Sequence, residues 1–176
     1  MFETTFRQMD KFPMTDDIDL TTAQAQRLER VAAQLDSMLR QPGATARLST
    51  HPGEDEWSVM QILGHLAESI PYWLDQCRNL IAATGKPPTF GRKLDAPERL
   101  VGVDRGLTEE INELLPRVVG EILAAAQAIR RMSLAERGKT GLHIRDGELS
   151  VAQVIERFIV THVEGHLTQI QAALQR

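Results

Sequence analysis

Five histidines, His51, His65, His143, His162 and His166, are the side chains of this 176-residue chain best suited to chemistry at neutral pH. His162 and His166 stand four residues apart, so on a helix they are displaced by ~6 Å along the axis and ~40° around it, and both rings reach one ion. Counting ~100° per residue from Ser150 puts Ile155 near ~140°, Phe158 near ~80°, His162 near ~120° and His166 near ~160°. The pair therefore falls on the apolar stripe of its helix. Glu164 falls near ~320° by the same count, on the solvated side, and is not taken as a ligand. Two imidazoles on an apolar face need partners, because an unpaired buried polar group costs ~1–3 kcal/mol. A divalent metal satisfies both, and so would separate hydrogen bonds to carbonyls or hydroxyls in the core. A third ligand decides between these readings, and His65 is the candidate. Taken alone, it reads as a boundary histidine on a flank shared with Gln61, Glu68 and Ser69.

Four amphipathic stretches must position these residues. The first follows Thr21 and Thr22, carries Leu28, Val31, Leu35, Met38 and Leu39, and stops at Pro42-Gly43. The second starts at Trp57-Ser58 with Ser58 as N-cap and carries Val59, Ile62, Leu63, Leu66, Ile70, Trp73, Leu74 and Cys77, with Pro71 a kink rather than an end. The third runs from Thr108 through Glu109 and Glu110 to about Met132, with Leu115, Val118, Ile122, Ala126 and Ile129 in line and Pro116 near its start. The fourth runs from a Ser150 cap to about Leu174 through Val151, Val154, Ile155, Phe158 and Ile159. No alternating strand pattern intervenes, so the expected class is all-α, a four-helix bundle. The connection from Gly85 to Gly106 is too long for a tight turn, which makes the second and third helices parallel across a crossover. One domain is expected over residues 1–176, with its core at about 20–175.

Composition excludes several classes. With 42% hydrophobic and 25% charged residues the chain is neither disordered nor fibrous. A net charge of -4 gives no basis for a nucleic-acid partner. The single cysteine, Cys77, excludes an internal disulfide, suits the cytoplasm, and reads as a core residue rather than a nucleophile. No membrane span is expected. Residues 1–14, with Phe2, Phe6 and Phe12 among charges, lack the apolar run of a signal peptide, so the mature protein is expected to be the whole chain. Lys86, Arg92, Lys93, Arg99 and Arg105 on the crossover read as a solvated loop, with an anionic cosubstrate as the functional alternative. Trp57 and Trp73 read as packing residues, and His51 and His143 as loop histidines without ligand spacing.

The stretch Trp57-Ser58-Val59-Met60-Gln61-Ile62-Leu63-Gly64-His65-Leu66-Ala67-Glu68-Ser69 resembles the second-helix signature of the DinB/YfiT-like metalloenzyme superfamily. His162, three residues, then His166-Leu167-Thr168-Gln169-Ile170 looks like its fourth helix. The resemblance implies an up-down-down-up bundle and a divalent metal held by His65, His162 and His166; three imidazoles suit zinc or nickel first, with iron and copper also open. It further implies a small-molecule substrate and a low-molecular-weight thiol cosubstrate, such as bacillithiol or mycothiol, in a thiol transferase or isomerase. Hydrolysis by an activated water uses the same ligands and is the second choice. Glu68 is then a general base or a carboxylate behind the ligands, unless it is merely solvated, and Gln169 either orients a ligand or water or makes an interhelical hydrogen bond. The alternative is a non-catalytic, stress-associated metal-binding bundle. A homodimer through an exposed helix face is compatible with either.

Overall fold

The computed structural model describes residues 14–41, 43, 47–53 and 56–175. The reading of Phe2, Phe6 and Phe12, and Pro42 as a stop, lie outside them. Four long helical runs form a bundle with up-down-down-up topology. The first, α1 (Met14–Leu39), begins before the two threonines expected to open it and buries Ala25, Leu28, Ala32 and Leu35. The second, α2 (Val59–Ala82), starts where Ser58 predicts. Ser58 Oγ accepts from Gln61 N at 3.3 Å while Gln61 Oε1 accepts from Ser58 N at 2.9 Å, a reciprocal capping box. Pro71 lies inside α2, which continues to Ala82.

The crossover is not the unstructured loop its composition suggests. It contains a two-residue strand, β1 (Thr89–Phe90), and a helix, α3 (Pro97–Thr108), that packs along α2. Pro97 at the first helical position and Glu98 beside it favour that start. Glycines let α3 lie against α2 at backbone distance: a Cβ on Gly106 would stand 2.0 Å from Met60 O, and one on Gly64 2.3 Å from Gly102 O. The third long helix, α4 (Ile111–Arg131), begins three residues later than expected, with Glu110 as its cap, and contains Pro116. A single turn, α5 (Leu134–Arg137), leads into β2 (Thr140–His143) and β3 (Gly147–Ser150).

The all-α four-helix bundle expected from the sequence holds, and a small three-stranded sheet that the sequence did not signal is added to it. β1 pairs in parallel with β2, Phe90 opposite His143, and β2 pairs antiparallel with β3, His143 opposite Gly147. Strands of two to four residues are too short to show alternation in a sequence. Ser150 ends β3 and caps the last helical run with a second box, its Oγ accepting from Gln153 N at 3.2 Å.

That run is α6 (Val151–Val154), a π-helical stretch (Ile155–Val160) and α7 (Thr161–Gln175). A π turn takes in one residue more than an α turn, so the apolar face downstream advances by one position. The buried line is Val151, Val154, Ile155, then Ile159, Val160, Val163, Leu167 and Ile170. Phe158, His162 and His166, placed on the core stripe by a uniform 100° count, are thereby turned to its edge and are only partly buried.

Candidate metal centre

His65 sits in the second turn of α2, with Gly64 held against Gly102 behind it, and is 4% exposed, more deeply buried than a boundary histidine. His162 and His166 arrive from α7, one turn apart. The three Nε2 atoms converge: His162 Nε2 lies 3.1 Å from His65 Nε2 and 3.0 Å from His166 Nε2. Gln169 Oε1 lies 3.0 Å from His166 Nδ1. A carbonyl oxygen only accepts, so the proton of His166 is on Nδ1 and its Nε2 presents a lone pair. The contact between His166 and His162 then needs a proton on His162 Nε2, which leaves that atom unable to accept from His65. One hydrogen would have to serve two acceptors. A cation at the meeting point satisfies all three lone pairs, and zinc-type ligands with ~2.0–2.1 Å bonds stand ~3.3 Å apart, close to the separations found.

Burial governs the charge state. It pushes His65 down from 6.5 to about 2, with the neighbouring His162 and His166 and the guanidinium groups of Arg99 and Arg92 acting in the same direction. His162 is pushed down to about 4 by burial, then by His166 and the same arginines. Burial also lowers His166, against the pull of its hydrogen bond to Gln169. All three rings are therefore neutral at pH 7, the form that ligates a metal. Among the described residues, Nδ1 of His65 and of His162 has no hydrogen-bond partner, so Gln169 is the one side chain that orients a ring of the triad through a hydrogen bond.

Trp57, expected to be a packing residue, does pack, but on the histidines: its ring centre is 5.2 Å from that of His65 and 6.4 Å from that of His166. The Arg99 guanidinium lies 4.9 Å from the Trp57 ring centre. Trp73 stacks on Phe158 at 4.3 Å with planes 12° apart. These two rings form an apolar wall of a cavity of about 220 Å³ that opens on the triad.

Apart from Leu94, the rest of that wall is cationic: Arg92, Lys93 and Arg99 from the crossover and Arg145 from the turn between β2 and β3. The crossover cations are thus not simply a solvated loop, although Lys86 is exposed and Arg105 lies in a separate groove between α2 and α3. Glu68 is one turn from His65 as expected, but its carboxylate receives both terminal nitrogens of Arg92, which also lies 4.0 Å over the Tyr72 ring. Among the described residues, no carboxylate lines the cavity.

Neither remaining histidine joins the triad. His51 is exposed, with Nδ1 3.1 Å from Glu56 O. His143, read as a loop residue, ends β2, is 4% exposed, and packs between Phe90 and Phe158 while Asp146 N donates to its Nδ1 at 3.2 Å. It supports the wall from behind. Cys77 is fully buried and its thiol is pushed up to about 12, which fits a core role. Glu164 points away from the triad and binds Arg27 of α1 through Nε at 2.8 Å and Nη2 at 2.5 Å. Arg27 Nη1 also reaches Glu156 at 2.7 Å, so one arginine holds the π turn and the histidine helix together.

Sequence reasoning missed Arg145 and Phe158 as cavity residues. Arg145 lies in a turn whose strands are too short to see, and Phe158 needed the π turn to leave the core. No helix among the described residues is long and apolar enough to cross a membrane.

The family model of the DinB superfamily matches residues 20–170. No curated protein matches the chain. Among solved structures it is similar to YfiT from Bacillus subtilis, described as "a probable metal-dependent hydrolase with an unusual four-helix bundle topology". The TM-score is 0.74 at 16% identity, over 97% of this chain and 93% of that one. At that identity the likeness is one of fold.

Proposed function

The chain belongs to the DinB superfamily, and from that premise we propose that it is a metal-dependent enzyme whose His65, His162 and His166 hold one divalent ion through Nε2 and serve a small thiol cosubstrate. The observation that carries this reading is the convergence of three neutral Nε2 atoms at 3.0 and 3.1 Å beside a cavity. Three imidazoles suit zinc and nickel, with iron next. An ion held there supplies Lewis acidity, which lowers the pKa of a thiol, ordinarily ~8.5, or of water.

The chain's own residues do the rest. Gln169 fixes the tautomer and ring plane of His166. Trp57 fills the space beside His65 and His166, which limits their rotation. Trp73 and Phe158 exclude water from one side of the cavity. Glu68 acts by holding Arg92 in the wall.

Thiol transfer is preferred to hydrolysis because, among the described residues, no carboxylate lines the cavity to pass a proton from an attacking water to a leaving group, whereas a thiol acidified by an ion releases its proton to solvent before it attacks. Hydrolysis is the second reading, favoured by the description of YfiT. The protein substituted with cobalt separates them. A strong near-ultraviolet band on adding 2-mercaptoethanol supports the thiol reading. A spectrum that answers azide but not the thiol favours hydrolysis, and one indifferent to both favours a non-catalytic metal-binding bundle.

A further inference from the structure

The chain carries a net charge of -4, yet the cavity beside the triad is lined by four cationic side chains and, among the described residues, by no carboxylate. One of the four is neutralised, since Arg92 is paired with Glu68. Arg99 is not: its Nη1 donates only to the Leu94 carbonyl at 2.9 Å, and its flank rests on Trp57. Burial, and then the nearby Arg92, make it harder for Arg99 to hold its proton, against the smaller pull of Glu68. Lys93 and Arg145 line the same space from separate elements, one on the crossover and one on the β2–β3 turn. The stacked rings of Trp73 and Phe158 line the same cavity and give it an apolar surface.

The geometry points to a small organic anion, a carboxylate with a short apolar portion, as the ligand of this cavity, with Arg99, Lys93 and Arg145 selecting its charge. This rests on the proposed function in placing the ligand beside the metal, and it narrows the thiol cosubstrate to an anionic one. The apolar portion lies along Trp73 and Phe158, and the charged group meets the cationic side chains. Size agrees: a cavity of ~150 Å³ takes benzene, so about 220 Å³ accommodates a ligand of somewhat more than six non-hydrogen atoms. Arg99 is suited to recognition because its planar fork retains free donors beyond the one given to Leu94.

The test compares 3-mercaptopropionate with uncharged 2-mercaptoethanol, each titrated into metal-free protein at low ionic strength and followed by the fluorescence of Trp57 and Trp73. The anion is expected to bind at least about tenfold more tightly, as charge-assisted hydrogen bonds require. Arg99→Gln and, separately, the double variant Lys93→Gln/Arg145→Gln should each reduce that preference. The double variant changes two exposed side chains, so it remains informative where Arg99→Gln disturbs Trp57. Lys86→Gln, exposed on the same crossover outside the cavity, should leave the preference intact. Equal affinities, no response to the anion, or a preference that survives both cavity variants overturns the proposal. Cobalt loading keeps the two claims apart. An anion preference without cobalt uptake defeats the metal reading alone, and cobalt uptake without an anion preference defeats the anion site alone.

Discussion

Gln169 Oε1 accepts the Nδ1 proton of His166 at 3.0 Å, one helical turn along α7, and this hydrogen bond decides which nitrogen of His166 faces its two neighbours. A ligand imidazole whose other nitrogen is held in this way has its ring plane and its basicity set together. Gln169→Ala should therefore weaken metal binding by about 10- to 100-fold with the fold retained. Gln169→Glu, which restores an acceptor, should recover most of the affinity. Competition against a chromophoric chelator measures both, and unchanged affinity in the alanine variant would remove Gln169 from the account.

The pH dependence of the metal-free protein follows from its buried rings. Folding lowers His65 and His162 from 6.5 to about 2 and about 4. Between pH 6.5 and 4 the unfolded chain thus binds protons that the folded one does not, so stability is full above 6.5 and falls as the solution is acidified toward and below pH 4. A loss on the order of 1–2 kcal/mol per pH unit is expected in that window. Urea denaturation from pH 7.5 to 4.5 reads it. The double variant His65→Phe/His162→Phe should show a flatter profile, and equal slopes would contradict the assignment.

Two glycines should answer oppositely to the same substitution. Gly106→Ala drives a methyl into the Met60 carbonyl and should destabilise by ~1–3 kcal/mol or more, separating α3, with Arg99, from α2. Gly120→Ala, in α4 with nothing within 4 Å of the added carbon, should stabilise by ~0.5–1 kcal/mol. Thermal melts of the pair distinguish close packing from a general intolerance of α helices to change here.

Glu68→Gln tests a different point. The sequence nominates Glu68 beside His65, but its carboxylate is committed to Arg92 rather than aimed at the triad. Metal stoichiometry should therefore be unchanged in Glu68→Gln, measured on dialysed protein. Loss of the ion would make Glu68 a ligand and require the Arg92 pair to break on binding.

The helices and the histidines were legible because each leaves a local signal. Ser58 and Ser150 mark helix starts, and in each case the glutamine three residues on completes a capping box that the sequence already displays. What was not legible depends on tertiary contact. α3 holds Gly102 and Gly106, poor residues for an isolated helix, and exists because those glycines fit against α2. The π turn defeats a fixed angular count, although the apolar residues Ile159, Val160, Val163, Leu167 and Ile170 keep a consistent face once a one-residue advance is allowed. The same advance explains why Phe158 lines a cavity instead of filling the core. Arg145 could not be linked to Arg99 from sequence, since a short β hairpin brings it there.

The central claim is that His65, His162 and His166 together hold one divalent ion. Metal content per chain of untagged protein, by inductively coupled plasma mass spectrometry after incubation with zinc or nickel, tests it most directly when wild type is run beside His65→Ala, His162→Ala and His166→Ala. The account predicts about one ion per wild-type chain and loss of that ion from each variant with helical content preserved. Wild-type protein that binds no ion, or variants that keep theirs, would contradict it.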